Sequence, residues 1–249
     1  MMIQEYFNRI NYNAGLEPTL EHLKILQKQH LLTVPFENLD IHRGETIVLD
    51  LKQIYQKVIH NHRGGFCYEL NGLFGALLKE IGFNVHMISA RVYGNGNYGP
   101  EYDHLALLVK IADKEYLVDV GFGEFTFGPL LVEKDQEQLD ERGYFVIKAR
   151  NDDYLMAAKI ENNQKLVPQY IFKREARQYA EFESMCHYHQ TSEASHFTKK
   201  KLITLPTENG RITITGNRLK MRKGDIVQEE TIEALEWERL VYHYFGVQH

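Results

Sequence analysis

The chain has 249 residues, of which 43% are hydrophobic and 25% charged, a composition that excludes disordered and fibrous classes and indicates a compact globular fold. Its net charge is −5 and its 29 basic residues are scattered, so we do not expect nucleic-acid binding. No apolar run approaches the roughly 18 residues of a membrane helix and the first residues lack a leader pattern, so we expect a cytoplasmic protein without membrane attachment.

The first third of the chain, residues 1–84, is predicted to be a helical bundle. Apolar residues recur every three or four positions in 3–10 and again in 20–31. A third helix is predicted over about 51–60, and a fourth begins near Cys67.

The middle of the chain, residues 85–205, is predicted to be an antiparallel β-barrel. Short runs rich in Val, Ile, Leu, Tyr and Phe alternate there with turn residues. The clearest strands are predicted at 104–111, 115–120, 143–148 and 167–173.

The last part, residues 206–249, is predicted to be an α/β closing element. Asn209-Gly210 is a hairpin signal, and apolar residues in helical register run from Trp237 to Phe245. The fold class is therefore α+β with three parts packed as one body.

Cys67 is the candidate nucleophile. It is predicted to lie on the first turn of an amphipathic helix that ends at Gly82. The double glycine Gly64-Gly65 precedes this helix start. Unpaired backbone N–H groups and the positive end of the helix dipole favour the thiolate at such a position. A small buried hydrophobic residue is the competing interpretation of this cysteine.

His104 and Asp119 are candidate partners of this thiolate, because a carboxylate inside an apolar strand needs a cationic or hydrogen-bonding neighbour. If the hairpin between them turns at Asp113-Lys114, Asp119 pairs with Leu108 on the face that carries His104. The distance along the strand from Leu108 to His104 is then roughly 13 Å. Contact would require a bend, a bulge or a different register.

Cys186 is a rival nucleophile with histidines nearby in sequence. No helix start or glycine turn precedes it, and we interpret 184–189 as a strand, on which adjacent side chains point to opposite faces. His187 would then not reach the thiol. Two cysteines exclude a disulfide framework and a four-cysteine zinc site, and metal binding by Cys186, His187 and His189 is a weaker alternative.

Four stretches together resemble the arylamine N-acetyltransferase family over nearly the whole chain. The stretch around the cysteine is the most specific of them. They are residues 34–39, 63–71, 103–105 with 118–123, and 190–197. The resemblance implies a helical first domain, a β-barrel, an α/β lid and a cysteine-protease-like Cys-His-Asp triad.

The resemblance also implies roles for single residues. Cys67 would be the nucleophile, His104 the base paired with it, and Asp119 the carboxylate that orients the imidazole. Phe36 and Phe122 would wall the acceptor pocket. The residues implied to meet coenzyme A are Gly123, Tyr188, Ser195 and Phe197.

Two further features follow from the same comparison. Glu37 and Arg63 are implied to form a structural pair that supports the cysteine turn. The chain departs from the family at Glu193, where proline is usual. The chain also lacks the inserted segment and longer tail of vertebrate relatives. In this it resembles the bacterial type, which has a more open cleft.

The implied activity is transfer of an acetyl group from acetyl-CoA to an arylamine, arylhydroxylamine or hydrazine through acetyl-Cys67, with ping-pong kinetics and no metal. A Cys-His-Asp set also serves amidases, thioesterases, proteases and transglutaminases, so a hydrolase is the alternative, and a binding protein with an inert triad is a third. The sequence leaves open the physiological acceptor, the acyl-chain preference, the oligomeric state and the biological role.

Overall fold

The structure is a computed structural model that describes residues 2–161 and 164–248. Its first part is helical, with one short strand. The helices are α1 (Ile3–Arg9), α2 (Leu20–Thr33), α3 (Leu39–Arg43), α4 (Leu51–Tyr55) and α5 (Cys67–Ile81), and the strand is β1 (Phe36–Glu37). Helix α4 continues as a π-helical turn over Gln56–His60.

Capping residues explain where these helices begin and end. The side chain of Thr19 accepts a hydrogen bond from the N–H of His22 at 3.3 Å, and Asp50 accepts one from the N–H of Lys52 at 2.9 Å. Gly82 takes a left-handed φ of 106° and ends α5. The four predicted helices are thus confirmed, although the third changes from α to π geometry at its end.

Within the described residues, nine antiparallel strands form the central sheet. They are β2 (Asn84–Gly94), β3 (Asn97–Tyr98), β4 (His104–Ile111), β5 (Lys114–Val118), β6 (Leu130–Leu131), β7 (Glu137–Asp140), β8 (Gly143–Ala149), β9 (Leu155–Glu161) and β10 (Lys165–Phe172). The strand order is β6-β5-β4-β2-β10-β9-β8-β7, and β3 pairs with β2. A bridge from Lys134 to Ile147 brings the segment after β6 against β8, so the sheet closes almost into the predicted barrel.

Strand β4 is buried on both faces. Leu105, Leu107 and Val109 pack in the helical core with α5, whereas Ala106 and Leu108 pack inside the barrel. The alternation of side chains along β4 therefore joins the bundle to the barrel, with His104 at the rim where the two cores meet.

The last part is a second antiparallel sheet with one helix. Its strands are β11 (Leu202–Thr207), β12 (Gly210–Thr215), β13 (Arg218–Lys223) and β14 (Ile226–Thr231), and α7 (Trp237–Phe245) packs on them. The predicted hairpin is confirmed, with Thr207 paired to Gly210. Strand β1 pairs with β11, which attaches the sheet to the segment before α3.

The strand that we predicted at 184–189 is wrong, because the chain there forms α6 (Glu183–Thr191) between two 3₁₀ turns at Tyr179–Phe182 and His196–Thr198. Its buried residues, Cys186 and His189, are three positions apart, which is the spacing of one helix face. Within the described part of the chain, no helix has the length and apolar character needed to span a bilayer.

Candidate active site

Cys67 is the first residue of α5 and is 3% exposed. The backbone N–H groups of a first helical turn have no partner inside the helix, and together with the helix dipole they favour a thiolate. The N–H of Phe66 is satisfied by the side chain of Glu69, which accepts its hydrogen bond at 3.1 Å. The structure therefore gives Cys67 the position that activates thiols.

The register of the β4–β5 hairpin differs from the predicted one. Ile111 pairs with Lys114 and Leu107 with Val118, so the turn residues are Ala112-Asp113. Ala112 takes a left-handed φ of 51°, which closes the turn one residue earlier than the composition indicated. Our pairing of Asp119 with Leu108 is wrong.

The corrected register removes the distance problem without a bulge. When it is extended by one residue, Asp119 lies level with Ala106, two positions from His104 on the same face. The Nε2 atom of His104 lies 2.7 Å from Oδ2 of Asp119, and both side chains are buried. The predicted contact between these two residues is confirmed.

Asp119 is held by three further hydrogen bonds. Its Oδ2 accepts one from the hydroxyl of Tyr170 at 3.1 Å, and its Oδ1 accepts one from Asn71 Nδ2 at 2.9 Å and one from the N–H of Gly121 at 2.9 Å. Four donors therefore fix the orientation of this carboxylate toward His104.

The charges around His104 decide its protonation. Burial lowers the pKa of the imidazole, but the Asp119 carboxylate and, less strongly, the hydrogen bond and charge of Cys67 outweigh burial and raise the pKa of His104 to about 10. The ring is therefore an imidazolium at neutral pH. An imidazolium between a carboxylate and a thiol is the arrangement of a thiolate–imidazolium pair.

Sequence reasoning missed Asn71 and Tyr170. Asn71 also donates to the carbonyl of Leu105 at 2.7 Å and accepts from the N–H of Val120 at 2.9 Å. A signal existed for Asn71, since it follows Cys67 by four positions and places a polar group on a buried helix face. Nothing local in the sequence marked Tyr170, which comes from β10.

Glycines allow the chain to approach Cys67 closely. A Cβ added to Gly121 would lie 2.7 Å from Cα of Cys67, and a Cβ on Gly64 would overlap the carbonyl oxygen of Pro35. The N–H of Glu37 donates to the carbonyl of Gly65 at 2.9 Å, so the double glycine lies directly against β1. These positions require glycine for space.

An ion-pair network lies under the cysteine turn. Arg63 contacts Glu37 at 2.8 Å and Asp40 at 2.6 Å, and Lys57 contacts Asp40 at 2.6 Å and Glu69 at 2.8 Å. Burial lowers the pKa of Lys57, but these carboxylates outweigh it and raise the pKa. The predicted Arg63–Glu37 pair is confirmed, and the other three members extend it.

A cavity of about 510 Å³ opens beside Cys67 and His104. Phe36, Phe122 and Phe197 form its aromatic wall. The ring of Phe122 meets that of His104 edge-on, with the centroids 5.3 Å apart. This volume lies in the range of cavities that bind small organic ligands.

The four residues implied to meet coenzyme A lie in different places. Gly123 and Phe197 line the cavity. Tyr188 is 40% exposed on α6 and is not part of the lining. Ser195 is buried, where its Oγ accepts the N–H of Phe197 at 3.2 Å.

The segment around Glu193 keeps an ordered turn without the usual proline. Glu193 is exposed, and the hydroxyl of Thr198 donates to the carbonyls of Ser192 and Ser195, both at 2.9 Å. These side-chain bonds close the loop between α6 and the following 3₁₀ turn.

Cys186 is unsuited to nucleophilic chemistry. It lies in the helical core, its Sγ accepts from Gln190 at 3.3 Å, and burial raises the pKa of its thiol, with Glu69 and Cys67 adding to the effect. Among the described residues, no three or more His, Cys, Asp or Glu side chains are grouped as metal ligands.

Comparisons with known proteins agree with this geometry. A family model described as N-acetyltransferase matches residues 19–248. The pineal gland arylamine N-acetyltransferase isozyme NAT-10 of Gallus gallus is 33% identical over 273 aligned positions, covering 99% of this chain and 94% of that protein. Arylamine N-acetyltransferase 1 of Homo sapiens is 31% identical with the same coverage.

Solved structures are similar over the same extent. The arylamine N-acetyltransferase of M. tuberculosis has a TM-score of 0.91 at 28% identity, covering 98% of this chain and 93% of that one. The Mycobacterium marinum enzyme, solved in complex with CoA, has a TM-score of 0.90 at 27% identity, covering 98% and 92%. Both likenesses extend over bundle, barrel and closing sheet.

Proposed function

The chain belongs to the arylamine N-acetyltransferase family, and we propose that its acetyl transfer passes through a thioester on Cys67. The family reaction moves an acetyl group from acetyl-CoA to the nitrogen of an arylamine, so the chain is an acyltransferase with acetyl-CoA as donor. Support for the thioester comes from one observation: a buried imidazolium, held by Asp119, adjoins the thiol at the start of α5.

In the first half-reaction the Cys67 thiolate attacks the carbonyl carbon of acetyl-CoA. A bond forms from Sγ to the acetyl carbon, and the bond from that carbon to the coenzyme A sulfur breaks. The departing thiolate takes the proton of His104, which becomes neutral. Asp119 stays ionised and keeps the ring oriented, as a positioning residue.

In the second half-reaction an arylamine, arylhydroxylamine or hydrazine attacks the acetyl-Cys67 carbon. The nitrogen loses one proton to neutral His104, the C–N bond forms and the C–S bond breaks. Thiolate and imidazolium are thereby restored, so the proton given in the first step is recovered in the second. One site serves both substrates in turn.

Phe36 and Phe122 would hold the aromatic ring of the acceptor next to the thioester, because flat apolar walls favour a flat apolar ligand. Gly123 and Phe197 would meet the pantetheine arm in the same cavity. Tyr188, exposed on α6, would meet a more distal part of coenzyme A, and Ser195 would act only by shaping the wall.

We also propose that residues 1–84, 85–205 and 206–249 act as three parts around this cleft. The first supplies Cys67 on α5 and the second supplies His104 on β4. The third reaches the cleft through Arg211 on β12, which donates to the carbonyl of Gly123 at 2.5 Å and to the hydroxyl of Thr204 at 3.0 Å.

Initial-rate kinetics test the two-step scheme. Varying acetyl-CoA at several fixed concentrations of an arylamine should give parallel double-reciprocal lines. Cys67→Ala should lose transfer, whereas Cys186→Ala should retain it and serve as the matched control. Intersecting lines would contradict the covalent scheme, because they require both substrates on the enzyme at once.

The hydrolase alternative uses the same three side chains, and their geometry alone does not separate it from a transferase. Membership of the family decides for transfer. Acetyl-CoA should be consumed slowly without an amine and much faster with one.

A further inference from the structure

The cavity beside Cys67 has two chemically different halves. One half of the lining carries aromatic rings, whereas the other carries the polar side chains of the β2–β3 hairpin and of the residues next to it. The polar residues of this second half are Asn95, Asn97, Tyr98, Asp103, His189 and His196. Among the described residues that line the cavity, there is no lysine or arginine, so Asp103 faces no long cationic side chain there.

Asp103 directly precedes His104 and presents a carboxylate to the polar half. Its side chain is 16% exposed. Its Oδ2 accepts a hydrogen bond from the N–H of Val92 at 3.3 Å, which fixes the carboxylate against β2. Gly99 lies so close to it that an added Cβ would overlap Oδ2.

His189 lies behind this carboxylate and is not used in the acetyl-transfer scheme. Its Nδ1 lies 3.2 Å from Oγ of Ser195, which also accepts the N–H of Phe197. Its Nε2 lies 3.2 Å from Oδ1 of Asp103, but it is buried and without an aligned hydrogen-bond partner. The imidazole therefore packs against the Asp103 carboxylate and supports its position.

The rest of the polar half adds no strong positive charge. Burial lowers the pKa of His196, the neighbouring His189 lowers it further, and Asp103 opposes both only in part. An anionic ligand in this half would be repelled by the Asp103 carboxylate. A ligand that donates a hydrogen bond would instead find in Asp103 an acceptor whose hydrogen bonds are incomplete.

We propose that Asp103 selects among acceptors by the group opposite the reacting amine, favouring arylamines with a hydrogen-bond-donating substituent such as a hydroxyl and rejecting anionic ones. The inference rests on the proposed function, because it concerns the second half-reaction at acetyl-Cys67. His189 is a positioning residue that holds the carboxylate toward the cavity. Phe36 and Phe122 select for the ring, and Asp103 selects for its substituent.

Three acceptors test this selection. 4-Aminobenzyl alcohol, 4-ethylaniline and 4-aminophenylacetate all carry a CH₂ group on the ring, so their reacting amines have similar nucleophilicity. We expect kcat/KM for the alcohol to exceed that for 4-ethylaniline by about tenfold, with 4-aminophenylacetate the poorest of the three.

Asp103→Asn removes the charge while keeping the shape. The advantage of the alcohol should shrink, and 4-aminophenylacetate should gain about tenfold relative to 4-ethylaniline, because the amide can donate to its carboxylate. Asp113→Asn, at the exposed β4–β5 turn, is the matched control and should leave all ratios unchanged. His189→Leu should weaken the alcohol preference, and His189→Gln should restore part of it.

Unchanged acceptor ratios in Asp103→Asn would overturn the inference. So would a fall in kcat/KM for acetyl-CoA with constant acceptor ratios, since Asp103 would then serve the donor. Failure of the proposed function looks different, because acetyl-CoA alone would then leave no acetyl group on Cys67, whichever of the three acceptors is added afterwards.

Discussion

His104 is held between a carboxylate and a thiol, and both raise the pKa of its ring against the effect of burial. The folded-state pKa of His104, about 10, lies above its ordinary value of about 6.5. The contribution of the charged His104 to stability is therefore fully present below pH 6.5. It is lost as the pH rises through 10. His104 should accordingly remain an imidazolium that can pair with the Cys67 thiolate across pH 7 to 9.

Asp119→Asn should depopulate that pair at neutral pH. The pKa of His104 falls when its carboxylate partner is removed, so less Cys67 is present as thiolate. We expect the rate of alkylation of Cys67 by iodoacetamide at pH 7, followed by peptide mass spectrometry, to fall at least about tenfold.

Asp113→Asn is the control for this experiment, because it makes the same change at an exposed turn on the same hairpin. Cys186 should remain slow in every variant, because it does not line the cavity and burial raises the pKa of its thiol. An unchanged rate in Asp119→Asn would mean that Asp119 does not set the charge of His104.

Asn71→Leu should destabilise the fold as well as the site. The asparagine bonds to Leu105, Asp119 and Val120, and a leucine of similar size would leave all three buried partners without it. We expect the free energy of unfolding, measured with urea, to fall by about 3 kcal/mol.

Asn8→Leu on the exposed face of α1 should change the same quantity by less than about 0.5 kcal/mol. A loss no greater than this in Asn71→Leu would show that the network around Asp119 contributes little to folding.

At the scale of elements, the site depends on how closely the chain after β5 crosses the start of α5. Gly121→Ala should force these segments apart, because the new Cβ would lie 2.7 Å from Cα of Cys67. We expect a loss of about 2 kcal/mol in the free energy of unfolding and slower formation of acetyl-enzyme.

Gly128→Ala is the matched control, since its Cβ would meet Asp140 at 3.6 Å and Lys24 at 3.9 Å, which are ordinary contacts. Equal effects of the two substitutions would show that the close crossing at Gly121 is not what positions Cys67.

Elements with a local signal were predictable from the sequence. Helix α5 follows from its apolar stripe and Gly82, and the β11–β12 hairpin from Asn209-Gly210. Helix α6 was missed because only two of its nine residues are buried. Two positions are too few to show the 3.6-residue apolar period of a helix. The β4–β5 register failed because Ala112 adopts a left-handed conformation that its side chain does not favour.

At the scale of the whole molecule, the cleft is assembled from distant segments. Cys67 and His104 were visible as candidates, but Tyr170, which contacts Asp119, lies 51 residues further along the chain. Such contacts depend on strand order, with β10 next to β2 and β2 next to β4. Local patterns do not carry this information, whereas resemblance to a family does.

The proposed function depends on Cys67 carrying the acetyl group. The most direct test is to mix the pure protein with acetyl-CoA without an acceptor, quench in acid and locate the added acetyl group by peptide mass spectrometry. We expect an acetyl group on Cys67 that disappears when 4-aminobenzyl alcohol is added before the quench. No adduct, or one on Cys186 alone, would contradict it.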